Sequence, residues 1–392
     1  MSAREPDIPL SRPVMDEAEA EAARRAILSG WVTQGPEVAR FEEAFAAAVG
    51  APHACAVASG TAALHLALEA AGVGPGDEVV TVSHSFIATT SSVRYTGAVP
   101  VFVDIEPATF NIDPLRVAAA ITPRTKAILC VHQLGMPCDL AALLDIATRH
   151  GLVLVEDAAC AIGSEIHIDG AWHRIGRPHG DIACFSFHPR KVLTTGDGGM
   201  ITTRHAAWDA EVRRRRQHGM SLDAHRRHTA VQVAGETYLD LAYNYRMTDI
   251  QAAIGQVQLA RLPAIVSERR RLAARYARLL DGLDLVAPTE PAWARSNWQG
   301  YCVRLPDALD QAAVMQAMRD RGVATRLAVM CAHREPACPP GTWRAAGPLT
   351  ESERARDTGI QLPLFPGLSD ADQERVAAAL AGAIALAREG AA

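Results

Sequence analysis

The chain has 392 residues, 49% hydrophobic and 21% charged, and its 39 basic against 44 acidic side chains give a net charge of −5. At about 150 residues per domain this is length for two or three domains with a sizeable core, and the negative balance argues against nucleic acid or an anionic membrane as partner. No apolar run of about twenty residues spans a bilayer, the MSAREPDIPL start lacks a secretory pattern, and eight cysteines without a CxxC pair suggest neither a disulfide framework nor a zinc site.

In chain order, a helix is expected over Thr61–Ala71, then a strand at Glu78–Ser83 and a helix at Ser85–Tyr95. A strand at Ala98–Asp104, a helix at Asp113–Ala120, a strand at Ala127–Val131 and a helix at Asp139–His150 continue the alternation. Strands at Leu152–Asp157, Ile182–Phe187 and Met200–Thr203 close the series. Several of these runs are almost wholly apolar, as strands buried on both faces of a parallel sheet must be. The pattern predicts a doubly wound α/β sheet with ligands at the carboxyl ends of its strands. After Thr248 helical spacing dominates (Ile250, Ile254, Val257), through an arginine-dense stretch at Glu268–Leu280. A strand-like run at Gly300–Leu305 follows, and a final helix starts at Ser369 with Val376, Leu380 and Ile384 on one face. The expected division is a large domain over 1–255, then a connecting helix and a small α+β domain over 256–392. Arg213–Arg216 is expected to be a solvated helix face, with contact to an anionic substrate as the alternative.

Of the basic residues, 37 are arginine and only Lys126 and Lys191 are lysine. Arginine replaces lysine in most surface roles, but its guanidinium cannot form a Schiff base. Lys191 lies in FSFHPRKVLTTGDGGM (Phe185–Met200), past a strand end and before a glycine-rich turn. A lysine there is placed for covalent chemistry on a carbonyl; the alternative is a surface lysine beside a turn. In VLVEDAACAIG (Val153–Gly163) Asp157 ends an apolar strand, where an unpaired carboxylate is costly. It is either a helix cap or the partner of a buried cation. In ASGTAALHLAL (Ala58–Leu68) Ser59, Gly60 and Thr61 open a helix whose free N–H groups and dipole suit an anion, although an ordinary capped helix start looks the same. Together, a phosphate grip, an acid for a pyridinium and a lysine for an aldehyde fit pyridoxal 5′-phosphate (PLP), with Phe86 as a stacking ring or as plain core. No P-loop, zincin or nucleophile-elbow motif occurs, and the His225–His228 pair lacks companions for a metal.

These segments resemble the DegT/DnrJ/EryC1/StrS family of sugar aminotransferases, which have the type I (aspartate aminotransferase-like) fold. Further matching segments are Gly30–Pro36 (GWVTQGP), Asn244–Gln258 (NYRMTDIQAAIGQVQ), His333–Ala337 (HREPA) and Leu362–Leu368 (LPLFPGL). The resemblance implies that Lys191 binds the cofactor's aldehyde and serves as acid and base, that Asp157 holds the pyridine nitrogen and that Phe86 stacks on the ring. It assigns Gly60, Thr61 and Ser186 to the phosphate, and Asn244 to the phosphate in a neighbouring subunit, so that a homodimer is required. Trp31 and His333 would line the substrate entrance. Cys160 stands where the family often has glutamine, and a thiol is the poorer hydrogen-bond partner. The implied reaction moves an amino group from glutamate to a nucleotide-linked keto sugar through pyridoxamine phosphate, in the cytoplasm. The HPxK–TTG pattern resembles members acting at sugar carbon 4, for polysaccharide, glycoconjugate or natural-product amino sugars. Members acting on carbon 3 or a cyclitol, and sugar dehydratases, are the alternatives. The dehydratases typically replace the lysine with histidine, which this chain does not do.

Overall fold

A computed structural model describes residues 7–221 and 236–389, so the His225–His228 pair lies outside the described residues. Helices α1 (Glu17–Leu28) and α2 (Pro36–Val49) precede β1 (His53–Val57) and α3 (Gly60–Ala70). The alternating series follows: β2 (Glu78–Val82), α4 (Ile87–Tyr95), β3 (Val99–Val103), α5 (Pro114–Ala120), β4 (Thr125–Val131), α6 (Leu140–His150) and β5 (Val153–Asp157). After a hairpin of β6 (Glu165–Ile168) and β7 (Ala171–Arg174) come β8 (Ile182–Ser186), β9 (Gly199–Thr203) and α7 (Ala206–Arg215).

These strands, with β13 (Arg344–Ala345), form an eight-stranded sheet in the order β1-β9-β8-β5-β4-β2-β3-β13. Its central pairings are parallel and only β9 runs against its neighbours. The expected all-apolar strands are buried on both faces: β2 contributes Val79 and Val80, β4 Ile128 and Leu129. One face packs against α2, α5, α6 and the long helix α8 (Asp249–Leu279), through Phe41, Phe45, Val117, Leu143 and Leu262. The other carries α3, α4 and α7, through Leu66, Val93 and Val212. This is the large, mostly parallel sheet that the sequence predicts.

Helix α8 starts on a capping box in which Thr248 and Gln251 satisfy each other's backbone N–H groups. It runs to a second core, formed by α9 (Gln311–Asp320), α11 (Asp370–Glu389) and a sheet ordered β11 (Tyr301–Arg304), β14 (Gly359–Leu362), β12 (Arg326–Leu327). Ile8 from the N-terminal segment joins that core. A short β10 (Ala294–Arg295) extends the β6–β7 hairpin, and α10 (Thr350–Thr358) precedes β14. Among the described residues no helix is long and apolar enough to cross a membrane.

The expected solvated face at Arg213–Arg216 is corrected. Arg216 is 4% exposed, and its Nη1 donates to Glu42 Oε1 (2.5 Å) and the Ala56 carbonyl (2.6 Å). Arg213 donates to Glu42 Oε2 (2.6 Å), Asp209 (2.8 Å) and the Ala54 carbonyl (2.5 Å). The run closes α7 onto α2 and the edge strand β1, supplying donors to carbonyls and a carboxylate that burial would otherwise leave unpaired. A second structural cluster lies across the sheet. Arg344 donates to both Glu78 oxygens (3.1 and 2.8 Å) and Arg124 Nε adds 3.2 Å. Led by the Arg344 hydrogen bonds, this pulls the Glu78 carboxyl from 4.5 to about 2.

Candidate active site

The strand ends converge on one cleft, lined among others by Ser59, Gly60, Thr61, Phe86, Asp157, Cys160, Ser186 and Lys191. All of these come from the sequence reading. They gather because β5 and β8 are adjacent and parallel, with Asp157 opposite Cys184, and because α3 begins at the end of β1, whose partner β9 also pairs with β8.

Ser59 caps α3, its Oγ accepting from Ala62 N at 3.1 Å. Gly60 and Thr61, the first residues of the helix, line the cleft beside Ser186, the last residue of β8. Gly60 is required by this approach: a Cβ there would lie 2.7 Å from Ser186 Cβ. A glycine at a helix start, pressed against a serine hydroxyl, makes a concave group of donors that suits a phosphate.

Asp157 is 5% exposed. Thr89 Oγ1 donates to its Oδ2 at 2.8 Å and Ala159 N to its Oδ1 at 3.1 Å. Since the Thr89 proton goes to Asp157, Ser85 must donate onward to Thr89 (2.7 Å). Burial raises the Asp157 carboxyl above its ordinary value, against the pull of these hydrogen bonds and of Lys191 and His132. An anion held there gains from a cationic partner such as a protonated pyridine nitrogen. The adjacent Glu156 points the other way and is fully used by His132 Nε2 (3.1 Å) and Gly180 N (2.9 Å). Strand alternation thus leaves Asp157 alone facing the cleft.

Lys191 follows β8 on a loop, and its Nζ donates to Cys160 Sγ at 3.1 Å. Phe86 is 55% exposed at the N-terminus of α4, so its ring face is open to the cleft rather than core. Arg190 and Arg326 also line the cleft, and neither guanidinium makes a hydrogen bond or ion pair among the described residues. Burial, and then Arg190, lowers the pKa of Arg326.

Three expected residues lie off this lining. Trp31 donates through Nε1 to the Gln34 carbonyl (3.0 Å) and covers Gly35. His333 sits between Ser83 Oγ (2.6 Å) and Glu353 (3.0 Å). Asn244 is exposed and bridges to Gln217. Thr89, Arg190, Arg326 and Gln299 are functional candidates that sequence reasoning passed over. Thr89, three residues past Phe86, and Arg190, inside the Phe185–Met200 segment, had a local signal; Arg326 and Gln299 had none.

A lysine, a buried acid, an open ring face and a phosphate-suited helix start, all at the strand ends of this sheet, define a PLP-dependent enzyme of the type I fold. The DegT/DnrJ/EryC1/StrS aminotransferase family model matches residues 13–381, and the chain belongs to that family. Among solved structures it is similar to the aminotransferase TlmJ from Streptoalloteichus hindustanus, at 35% identity and a TM-score of 0.88, covering 97% of this chain and 99% of that one. DesV from S. venezuelae matches at 34% identity and a TM-score of 0.85, with coverage of 97% and 99%. The sugar aminotransferase Spr1654 from Streptococcus pneumoniae, solved with pyridoxamine phosphate, matches at 26% identity and a TM-score of 0.90, with coverage of 98% and 99%. The protein is a PLP-dependent sugar aminotransferase.

Proposed function

We propose that this chain, as a cytoplasmic homodimer, transfers the amino group of glutamate to a nucleotide-linked keto sugar at sugar carbon 4. The observation that carries the site assignment is the free Lys191 amine, 3.1 Å from Cys160 and in one cleft with buried Asp157.

PLP would be held by Gly60, Thr61 and Ser186 at its phosphate, Asp157 at its pyridine nitrogen and Phe86 against its ring; when bound, it supplies an electron sink for the donor's α-carbon. Asp157, fixed by Thr89 and Ala159, keeps the proton on that nitrogen. Lys191 Nζ moves the proton at the α-carbon. Cys160 steers the lysine amine as its hydrogen-bond acceptor. Arg190 and Arg326 line the same cleft and are unpaired among the described residues, which suits the carboxylates of an acidic donor and the diphosphate of a nucleotide sugar.

The place of Asn244 supports shared sites. It is exposed and follows Tyr238, Leu239 and Leu241, which are 64%, 59% and 93% exposed, so apolar surface beside it suits a second copy. Trp31 and His333, off this chain's own lining, would act at the entrance of the assembled dimer. Carbon 4 rests on the HPxK–TTG pattern around Lys191.

The test is an absorbance spectrum of the purified protein before and after glutamate. Loss of the visible band of protein-bound PLP, with release of 2-oxoglutarate, supports the donor and the lysine; UDP-, dTDP- and GDP-linked 4-keto sugars then compete to restore the band. A spectrum unmoved by glutamate overturns the donor assignment. Restoration by a 3-keto sugar alone overturns carbon 4.

A further inference from the structure

Lys191 lies in a stretch with no helix or strand, between β8 and β9. The stretch has few backbone bonds of its own near the lysine: Lys191 N donates to the His188 carbonyl at 2.8 Å, and Thr195 N reaches the Phe187 carbonyl at 3.0 Å. The position of a catalytic amine must nevertheless be held to a fraction of an ångström.

The restraint comes from residues more than a hundred positions away. Gln299 Oε1 accepts from Val192 N at 2.9 Å, and its Nε2 donates to the Arg190 carbonyl at 2.5 Å. One side chain therefore grips the backbone on both flanks of Lys191. Val192 is 4% exposed, so its N–H depends on this acceptor. Two residues earlier, Asn297 is fully buried, and its Nδ2 donates to the carbonyls of Cys160 and Ile162, each at 2.8 Å. Cys160 is the residue whose sulfur receives the lysine amine. The two grips are joined, because Asn297 Oδ1 accepts from Gln299 N at 2.8 Å.

Between them, Trp298 takes a left-handed φ of 53°, uncommon for a bulky residue. Its ring stacks on Tyr301 at 5.6 Å in the second core. Arg269 fixes the turn from below. It is 2% exposed with no carboxylate partner among the described residues, and its Nη1 donates to the carbonyls of Trp298 (2.9 Å), Gln299 (3.4 Å) and Leu364 (3.2 Å). The strained turn is thus held from the second core while its two amide side chains reach across to the lysine segment.

We propose that Asn297 and Gln299 are positioning residues for the transamination, setting the Lys191 amine against Cys160 and hence against the reacting carbon. Neither touches the reacting atoms. The proposal rests on Lys191 being the reacting amine, which Lys191→Ala tests alone. The clamp itself is read without assuming the lysine's role.

The test uses the full-length chain loaded with pyridoxamine phosphate, so that both lysines carry free amines. It is acylated briefly with acetic anhydride, and the modification at Lys191 is compared with that at Lys126 by peptide mass spectrometry. Lys126, at the start of β4, serves as the internal standard. In Gln299→Met the Lys191:Lys126 ratio rises several-fold as the loop loosens. In the same variant kcat falls by roughly 10- to 100-fold, while KM for glutamate changes by a smaller factor through the released Arg190 backbone. Gln299→Glu keeps an acceptor for Val192 and loses the donor to Arg190; it moves both readouts in the same direction by less, and it decides the matter if the methionine variant fails to fold. A folded variant whose acylation ratio and kcat match wild type overturns the proposal, as does one in which KM alone changes.

Discussion

Two charged regions of the molecule are built on opposite principles. Under α7, Glu42 meets Arg213 and Arg216, and the remaining guanidinium donors are largely taken by backbone carbonyls and Asp209. In the cleft, by contrast, Lys191 has a thiol for a partner, and among the described residues Asp157 has only neutral donors while Arg190 and Arg326 have no acid beside them. Burial sharpens the contrast, raising the pKa of Asp157, whereas Glu42 stays below its ordinary value because Arg216 and Arg213 outweigh burial. Paired charges hold an edge strand in place. Unpaired charges wait for a ligand to complete them.

Substitutions should separate the two regions cleanly. The largest effect is expected from Lys191→Ala: transamination falls by about 10³-fold or more, measured as 2-oxoglutarate release, with the thermal unfolding midpoint little changed. Glu42→Leu should do the reverse. Stranding buried Arg216 costs about 3–5 kcal/mol in denaturant unfolding, and turnover per folded molecule stays at the wild-type value. A smaller effect is expected at the mouth, where Arg326→Gln should raise KM for glutamate about tenfold by removing one charge-assisted contact. Equal KM values would sever the link between unpaired cations and acidic substrates.

The smallest effect is one of pH. The folded Glu78 carboxyl lies near 2, below its ordinary 4.5, so its contribution to stability is present above 4.5 and is lost as the pH falls towards about 2. Glu78→Gln should flatten that part of the unfolding-midpoint profile and leave the profile above it parallel to wild type.

The strands and the chemistry were legible for related reasons. Buried parallel strands demand continuous apolar runs, so β2, β4 and β5 announced themselves, and a chain with two lysines left little choice of Schiff-base former. Asp157 stood out because a carboxylate at the end of such a run needs a reason. The β6–β7 hairpin had a readable Asp169-Gly170 turn, with φ of 53° and 77°, yet its strands are too polar and half-exposed to have shown as runs. Arg213–Arg216 misled because four consecutive charges look solvated, and nothing local reveals that Glu42 and two strand carbonyls lie against them. Asn297 and Gln299 were invisible for the same reason. Their partners are carbonyls and N–H groups, which every residue carries, so no pattern of residue types marks a backbone clamp.

Of the eight cysteines, seven are buried and only Cys160 is partly open to solvent. Its sulfur stands 3.1 Å from one of just two lysine amines in the chain. An aromatic dialdehyde condenses a neighbouring amine and thiol into a fluorescent isoindole, and this pair is the chain's natural substrate for it. Cys160 therefore gives the cofactor-free protein a built-in optical tag, one that a bound cofactor would mask and a displaced cofactor would reveal.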